Sequence, residues 1–110
     1  MSDIAGIVRL ESPEPLDAAL LVVALLDVTY LDAPSRIVAE RSYQISGRPA
    51  EIPFHLPLPE AVLPASASYV LKAEIRRTNP ADLRRGDYLS TAAHPWSPGE
   101  TGAVVTVRKI

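Results

Sequence analysis

The sequence predicts an all-β fold, a single-domain antiparallel β-sandwich of about seven to eight strands that spans residues 1–110. Three observations support this fold class. The chain has 110 residues, which is enough for one domain with its own buried core. Its eleven prolines disfavour long helices, because proline donates no backbone hydrogen bond. Its apolar residues recur in short runs that are bounded by turn residues.

The predicted strands follow one another at short intervals along the chain. They are Ile4–Leu10, Leu20–Tyr30, Arg36–Ile45, Glu51–Pro57, Tyr69–Arg77, Asp87–Ala93 and Ala103–Ile110. Short runs separated by turn residues are typical of a sandwich or barrel. No long stretch carries a helical stripe of apolar residues free of proline, so we expect no more than a short helical turn.

The run Tyr69–Arg77 shows the clearest alternation. From position 69 to 75 its odd-numbered residues are apolar, whereas Lys72, Glu74 and Arg76 are charged. This pattern predicts a strand with one face in the core and one face in water. The run Arg36–Ile45 alternates in the same sense.

The run Glu51–Pro57 carries its prolines in phase. Pro53, Pro57 and the following Pro59 alternate with apolar residues, so N–H groups are missing from one edge of the strand only. We therefore expect an edge strand that pairs on its other side.

The run Leu20–Tyr30 is apolar on both faces. Its even-numbered residues form one face, and Leu21, Val23 and Leu25 make the opposite face apolar too. The outer side of a central strand normally meets water, so we expect a cover over these three residues. The cover could be a loop of the same chain (Pro13–Ala18 or Ala93–Gly102), a second copy in a homodimer, or a partner protein.

Trp96 lies in a predicted loop between Pro95 and Pro98. Three roles are open for it. It could close the mouth of the sandwich, anchor a partner protein, or form a small-ligand or carbohydrate site on the rim together with Tyr88 and His94.

The composition argues against several classes of function. A net charge of −2 is too small to attract nucleic acid or an anionic membrane. Residues 1–110 contain no cysteine, so we expect no disulfide, no thiolate nucleophile and no lipid-acceptor thiol within them. His55 and His94 lack metal-ligand spacing, and neither a Gly-x-Ser-x-Gly motif nor a glycine-rich phosphate loop occurs. We expect no enzyme activity, no metal and no cofactor.

Two further patterns bear on the cellular compartment. Residues 1–10 show no basic region followed by an apolar run, so no signal peptide is visible there. The apolar run Ala18–Leu26 is far shorter than the roughly 20 residues that cross a bilayer, so we expect a buried strand and no membrane insertion. The compartment stays open on these grounds.

Six short motifs occur in order between Gly6 and Val107. They are Leu26–Val28, Asp32–Ser35, Ile37–Glu40, Ile52–Pro57, Tyr69–Ile75 and Thr91–Pro95. With these motifs in this order, the sequence resembles the type III secretion lipoprotein chaperone family. This family includes secretin pilotins and other envelope lipoproteins with the same core domain.

The resemblance implies a β-sandwich without enzymatic activity, located in the periplasm or at the outer membrane. Pilotins of this kind bind an apolar C-terminal segment of a secretin subunit and help the secretin reach the outer membrane. It therefore implies a protein partner for this chain. The apolar face of Leu21, Val23 and Leu25, together with the loop residue Trp96, is where we expect that partner to bind. The alternatives are the ligand-binding rim and a self-associating structural domain.

Overall fold

The computed structural model describes residues 3–29, 34–58, 64, 66–77, 81–90, 94–98, 100 and 102–110. Over these ranges the chain forms eight strands and no helix. The strands are β1 (Asp3–Leu10), β2 (Leu16–Asp27), β3 (Arg36–Gly47), β4 (Glu51–Pro57), β5 (Tyr69–Arg76), β6 (Tyr88–Leu89), β7 (His94–Trp96) and β8 (Gly102–Lys109). The all-β prediction is confirmed.

The strand bounds differ from the prediction mainly in β2 and near β7. β2 begins at Leu16, four residues before the predicted start at Leu20. β7 was not predicted, because a three-residue strand that contains a proline shows no alternation. Tyr30 and residues 91–93, which were predicted to end two of the strands, lie outside the described residues.

The strands form two layers in the order β3-β2-β5-β6-β8-β1-β4, with β7 also paired to β5. One layer contains β1, β4 and β8, and the other contains β2, β3, β5 and the two short strands. The end of β8 pairs with β6 and so joins the layers. One pairing departs from the expected antiparallel pattern, since β1 and β8 run parallel. Most of the chain separates these two strands, so no tight turn forces them to be antiparallel.

The core lies between the two layers, and partly buried residues of β3 pack against its margin. Its largest fully buried side chains are Tyr88, Ile4, Leu21, Leu25, Leu56, Leu71, Ile75, Val8, Val23, Val105 and Val107, together with Asp87. The Asp87 carboxylate accepts the N–H groups of Arg77 and Arg84 at 2.8 and 2.7 Å. These bonds satisfy the buried charge and close the loop between β5 and β6.

β4 is an edge strand, as its in-phase prolines predict. It pairs with β1 on one side only. On the other side Pro53 and Pro57 have no N–H, and the N–H of His55 between them donates to the Tyr43 hydroxyl at 3.0 Å. The same hydroxyl donates to the carbonyl of His55. The Arg41 guanidinium also reaches that carbonyl, at 3.2 Å. β3 and β4 are therefore joined by side chains and not by a backbone ladder.

Gly6 makes room for the aromatic ring of Phe54. The two residues lie opposite each other in the β1–β4 pair. A Cβ on Gly6 would lie 2.4 Å from the carbonyl oxygen of Ala103 and 2.8 Å from the Phe54 ring. The ring of Phe54, which is 4% exposed, therefore packs on bare backbone.

We predict that Gly6→Ala lowers the free energy of unfolding by about 2–3 kcal/mol, because the added methyl overpacks the core. The matched control is Gly102→Ala, in the neighbouring strand, where an added Cβ meets nothing closer than the Ala5 carbonyl oxygen at 3.9 Å. The control should change stability by less than about 0.5 kcal/mol. Urea denaturation measures both variants, and equal losses would contradict this account of Gly6.

We also predict that Tyr43→Phe lowers the free energy of unfolding by about 1 kcal/mol, because it removes both hydrogen bonds to His55 and retains the ring. The amide hydrogen of His55 should exchange faster with solvent. The amides of Phe54 and Leu56, on the β1 side of the strand, serve as internal controls and should not change. An unchanged His55 exchange rate would show that the hydroxyl does not hold the two edges together.

Candidate partner-binding surface

Leu21, Val23 and Leu25 lie in the core and not on the surface. Each is 0% exposed, and each faces an inward residue of β5. The assignment of these residues to the outer face of the strand is therefore wrong. A surface for self-association cannot be built from them while the core is intact.

A β-bulge sets the orientation of β2. The pairing of β2 with β3 shifts between Leu16 and Ala19, and Ala18 within the shift has a positive φ of 54°. The extra residue turns both Leu16 and Ala19 toward the core, where they are 3% and 0% exposed. Odd-numbered residues face inward from Ala19 onward, so the even-numbered ones face outward.

The outer face of the second layer carries an apolar strip. The strip runs along the even-numbered residues of β2. It also includes Ile37 of β3 and Val70 of β5, because both of these residues pair with Leu26. We call this set the outer strip. Its members are Leu20, Val22, Ala24, Leu26, Ile37 and Val70.

Exposure varies along the outer strip. Val22 and Ala24 are only 7% and 6% exposed, whereas Ile37 at the β3 margin is 57% exposed. Ile37 faces outward because a second irregularity in the β2–β3 pairing, next to Leu26, leaves Val38 as an extra residue. The largest apolar exposure of the strip is therefore at the margin of the sheet.

Charged side chains border the outer strip on both sides. On β3, Glu40 is exposed and lies opposite Ala24, and it forms no ion pair with any described residue. On β5, the Glu74 carboxylate lies 2.9 Å from Arg76 and 3.8 Å from Lys72. A groove of about 230 Å³ runs between these margins. Among the described residues it is lined only by β2, β3, β5 and Ser35.

The described residues of the two loops that we proposed as covers do not lie over the strip. Pro13–Ala18 leads into β2, and its Glu14 pairs with Lys109 at 2.8 Å on another part of the surface. The described part of Ala93–Gly102 contains β7, which extends the sheet beyond β5. Within the described ranges, the strip has no cover from its own chain.

Trp96 is buried at one end of the sandwich. It is 4% exposed, its ring meets that of Tyr69 edge-on at 5.8 Å between centroids, and its Nε1 donates to the Glu100 carbonyl at 3.2 Å. This geometry agrees with a tryptophan that closes the mouth of the sandwich.

The structure separates Tyr88 from Trp96 and His94. Trp96 pairs with Tyr69 at the start of β5, and Tyr88 pairs with Ile75 near its end, so their backbones are about 20 Å apart. Tyr88 is fully buried, and its hydroxyl donates to the Ser12 carbonyl at 2.7 Å. The three side chains do not converge on a common ligand site.

Asp27 and Thr29 connect the end of β2 to the start of β5. Thr29 donates its N–H and its hydroxyl to the Asp27 carboxylate at 3.0 and 2.6 Å. Its hydroxyl oxygen accepts the N–H of Ser68 at 3.0 Å. The hydrogen bonds from Thr29 lower the pKa of the Asp27 carboxyl, and nearby Arg36 adds a smaller effect in the same direction. The carboxylate borders an open cavity of about 400 Å³.

We predict that the pKa of Asp27 rises toward its ordinary value in Thr29→Val, which removes the hydroxyl donor. A lowered pKa in the folded state stabilises the fold above the ordinary aspartate range, and this contribution is lost as the pH falls through the lowered value. NMR titration of the Asp27 carboxyl measures the shift. Thr106→Val, an exposed position on β8, is the control. Identical Asp27 titrations in the two variants would contradict the role of Thr29.

Two features of the described residues bear on function. No group of three or more histidine or acidic side chains there is arranged to hold a metal ion. None of the described segments forms a helix of the length and apolarity needed to cross a membrane.

Comparison with known proteins identifies the family. The model of the Type III secretion system lipoprotein chaperone (YscW) family matches residues 1–84, which include β1 to β5 and the whole outer strip. The chain therefore belongs to this family. Membership in a family of lipoprotein chaperones indicates a chaperone role, a protein partner and a place in the bacterial envelope.

A solved structure shows the same fold. It is the structure of an alternative pilotin from the type II secretion system of Vibrio cholerae, which matches the chain with a TM-score of 0.81 at 22% sequence identity. The match covers 99% of this chain and 96% of that chain. It agrees with the predicted β-sandwich over the full length. No curated protein matches the sequence.

Proposed function

We propose that this lipoprotein chaperone acts as a pilotin, binding an apolar segment of a secretin subunit on the outer strip. The observation that carries the proposal is an apolar strip on the outside of the central strand, bordered by charges and without a cover among the described residues. An apolar centre with a polar rim is the usual composition of a protein–protein interface.

The dimensions of the outer strip suit a short peptide segment. Leu20 and Leu26 are six residues apart on β2, which is about 20 Å along the strand. A groove of about 230 Å³ accommodates a few side chains rather than a domain. An interface of this size is small, and small interfaces are typical of transient complexes. Transient binding suits a chaperone that must release its client.

Ile37 is the residue of the outer strip with the most apolar surface left for a partner to bury. It is 57% exposed, and it lies beside Leu26 at the open margin of the sheet. A partner side chain that covers it removes apolar surface from water, at about 25 cal/mol per Å². We therefore place the anchor of the complex at Ile37.

We predict that Ile37→Asp weakens binding of the secretin segment by at least about tenfold and leaves the domain folded, because the side chain is exposed. The probes are overlapping synthetic peptides of about 15 residues from the C-terminal region of the secretin subunit of the same organism. Fluorescence anisotropy measures affinity, and thermal unfolding confirms the fold.

The matched control is Val104→Asp. Val104 is another exposed aliphatic residue, 43% exposed on β8 in the opposite layer. The Val104→Asp variant should bind the peptide with the affinity of the parent chain. Peptide binding that survives Ile37→Asp would contradict the assignment to the outer strip, and the absence of any binding peptide would contradict the proposed function. A concentration-dependent dimer in light scattering, lost in Ile37→Asp, would point to a second copy as the occupant.

A further inference from the structure

We infer that a second copy of this chain pairs with the free edge of β3, in an antiparallel dimer that places Ser42 of one copy opposite Ser42 of the other. The dimer would continue the second layer from one copy into the next around a two-fold axis. The edge of β3 and the outer strip are different surfaces, so the dimer does not depend on the proposed function.

The two ends of the described sheet differ in their protection. β4 carries Pro53 and Pro57 on its free edge, and proline at such positions blocks pairing with another chain. β3 contains no proline over its 12 residues, and among the described strands it pairs with β2 alone. A long strand with an open edge is a template for pairing with a further strand. Of the two edge strands, β3 is therefore the one that is open to a second chain.

The backbone of β3 directs alternate residues toward the open edge. On β5, the carbonyl of Ala73 accepts the N–H of Ser90 on the side away from β2. Because Ala73 is opposite Val23, the backbone groups of Val23 point toward β3, where Arg41 is the paired residue. The residues next to Arg41 on either side then point their N–H and C=O groups away from β2. The residues with groups at the open edge are Glu40, Ser42 and Gln44.

The side chains of β3 select one register. Because the open groups are on alternate residues, every register that joins them places one residue opposite its own copy. With Glu40 or Arg41 at the axis, two like charges face each other, which destabilises the pair. With Tyr43 at the axis, the charged Arg41 faces the aliphatic Ile45 of the second copy. With Ser42 at the axis neither conflict arises, and registers centred nearer an end of β3 form fewer pairs.

The Ser42 register also pairs complementary side chains. Glu40 of one copy lies opposite Gln44 of the other, so the amide can donate to the carboxylate. Arg41 of one copy lies opposite Tyr43 of the other. The same two residue types already interact within one chain, where the Arg41 guanidinium carbon lies 5.0 Å from the centroid of the Tyr43 ring. A two-fold axis forms each of these pairs twice.

The described part of the fold leaves room for the second copy. β4 contacts both β2 and β3, so it lies beneath these two strands and not beside the open edge. The paired segment would run from Ala39 to Ile45, which face each other as an apolar pair, over about 20 Å. One strand pair is a small interface, and small interfaces are typical of transient complexes. We therefore expect a weak dimer with a micromolar dissociation constant.

Light scattering across a dilution series tests the dimer. The mass of the parent chain should rise toward that of two copies as the concentration increases. Ser42→Pro should remain a monomer throughout, because it removes an N–H that points to the open edge and not to β2. Ser42→Ala retains this N–H and should dimerise as the parent chain does. Thermal unfolding checks that each variant is folded.

A pair of charged variants tests the register without a proline. Ser42 is exposed, so Ser42→Lys and Ser42→Glu should fold. Each should weaken its own dimer about fivefold, because like charges then face each other across the axis. An equimolar mixture of the two should recover the dimer, since opposite charges then face each other. The matched controls are Thr106→Lys and Thr106→Glu, at an exposed position of the opposite layer, and both should dimerise as the parent chain does.

Each part of the inference has its own contrary result. A parent chain that stays monomeric over the whole series would overturn the dimer. A dimer that persists in folded Ser42→Pro would overturn the pairing at β3, and its loss in Ile37→Asp would then place the second copy on the outer strip. A mixture of Ser42→Lys and Ser42→Glu that associates no better than either variant alone would overturn the register.

Discussion

The bulge at Ala18 is the constraint on which the rest of the structure depends, because it decides which side of β2 faces the core. β2 pairs with β3 on one edge and with β5 on the other, so its orientation is transmitted to the whole second layer. A shift by one residue exchanges the two faces of a strand. Here the extra residue buries Leu16 and Ala19 together, and the outer strip consists of the residues that remain outside.

The separation of β3 from β4 has a different physical origin. The two strands are joined by the short link 48–50, yet no ladder forms between them, because Pro53 and Pro57 cannot donate hydrogen bonds toward β3. Tyr43 accepts, with its hydroxyl, the N–H of His55 between these two prolines. Among the described strands, none pairs with the outer edge of β3, so Ile37 and Glu40 remain accessible at a sheet margin. The prolines of β4 thus help to shape the surface on which we place the partner.

Local sequence patterns predicted most of the fold. The position of the candidate binding surface depends instead on the pairing of strands that are distant in sequence. The bounds of β4 follow from the parity of its prolines, and the faces of β5 follow from its alternation of apolar and charged residues. The faces of β2 could not be predicted, because both are apolar and the bulge occurs at an alanine rather than a glycine. Its pairing with β5 would have resolved the choice, since Lys72 and Ala24 are opposite each other and share a face. Register between distant strands is not visible in a single sequence.

The margins of the outer strip also explain how a chaperone keeps an apolar surface in water. Val22 and Ala24 are almost fully buried although no described element lies over them, because longer side chains on β3 and β5 flank them. The hydrocarbon stem of a lysine such as Lys72 covers apolar surface while its ammonium group stays in water. A partner segment on the proposed surface would have to move these side chains aside and would then meet their charges. The same residues therefore limit non-specific association in the free state and contribute to recognition in the complex.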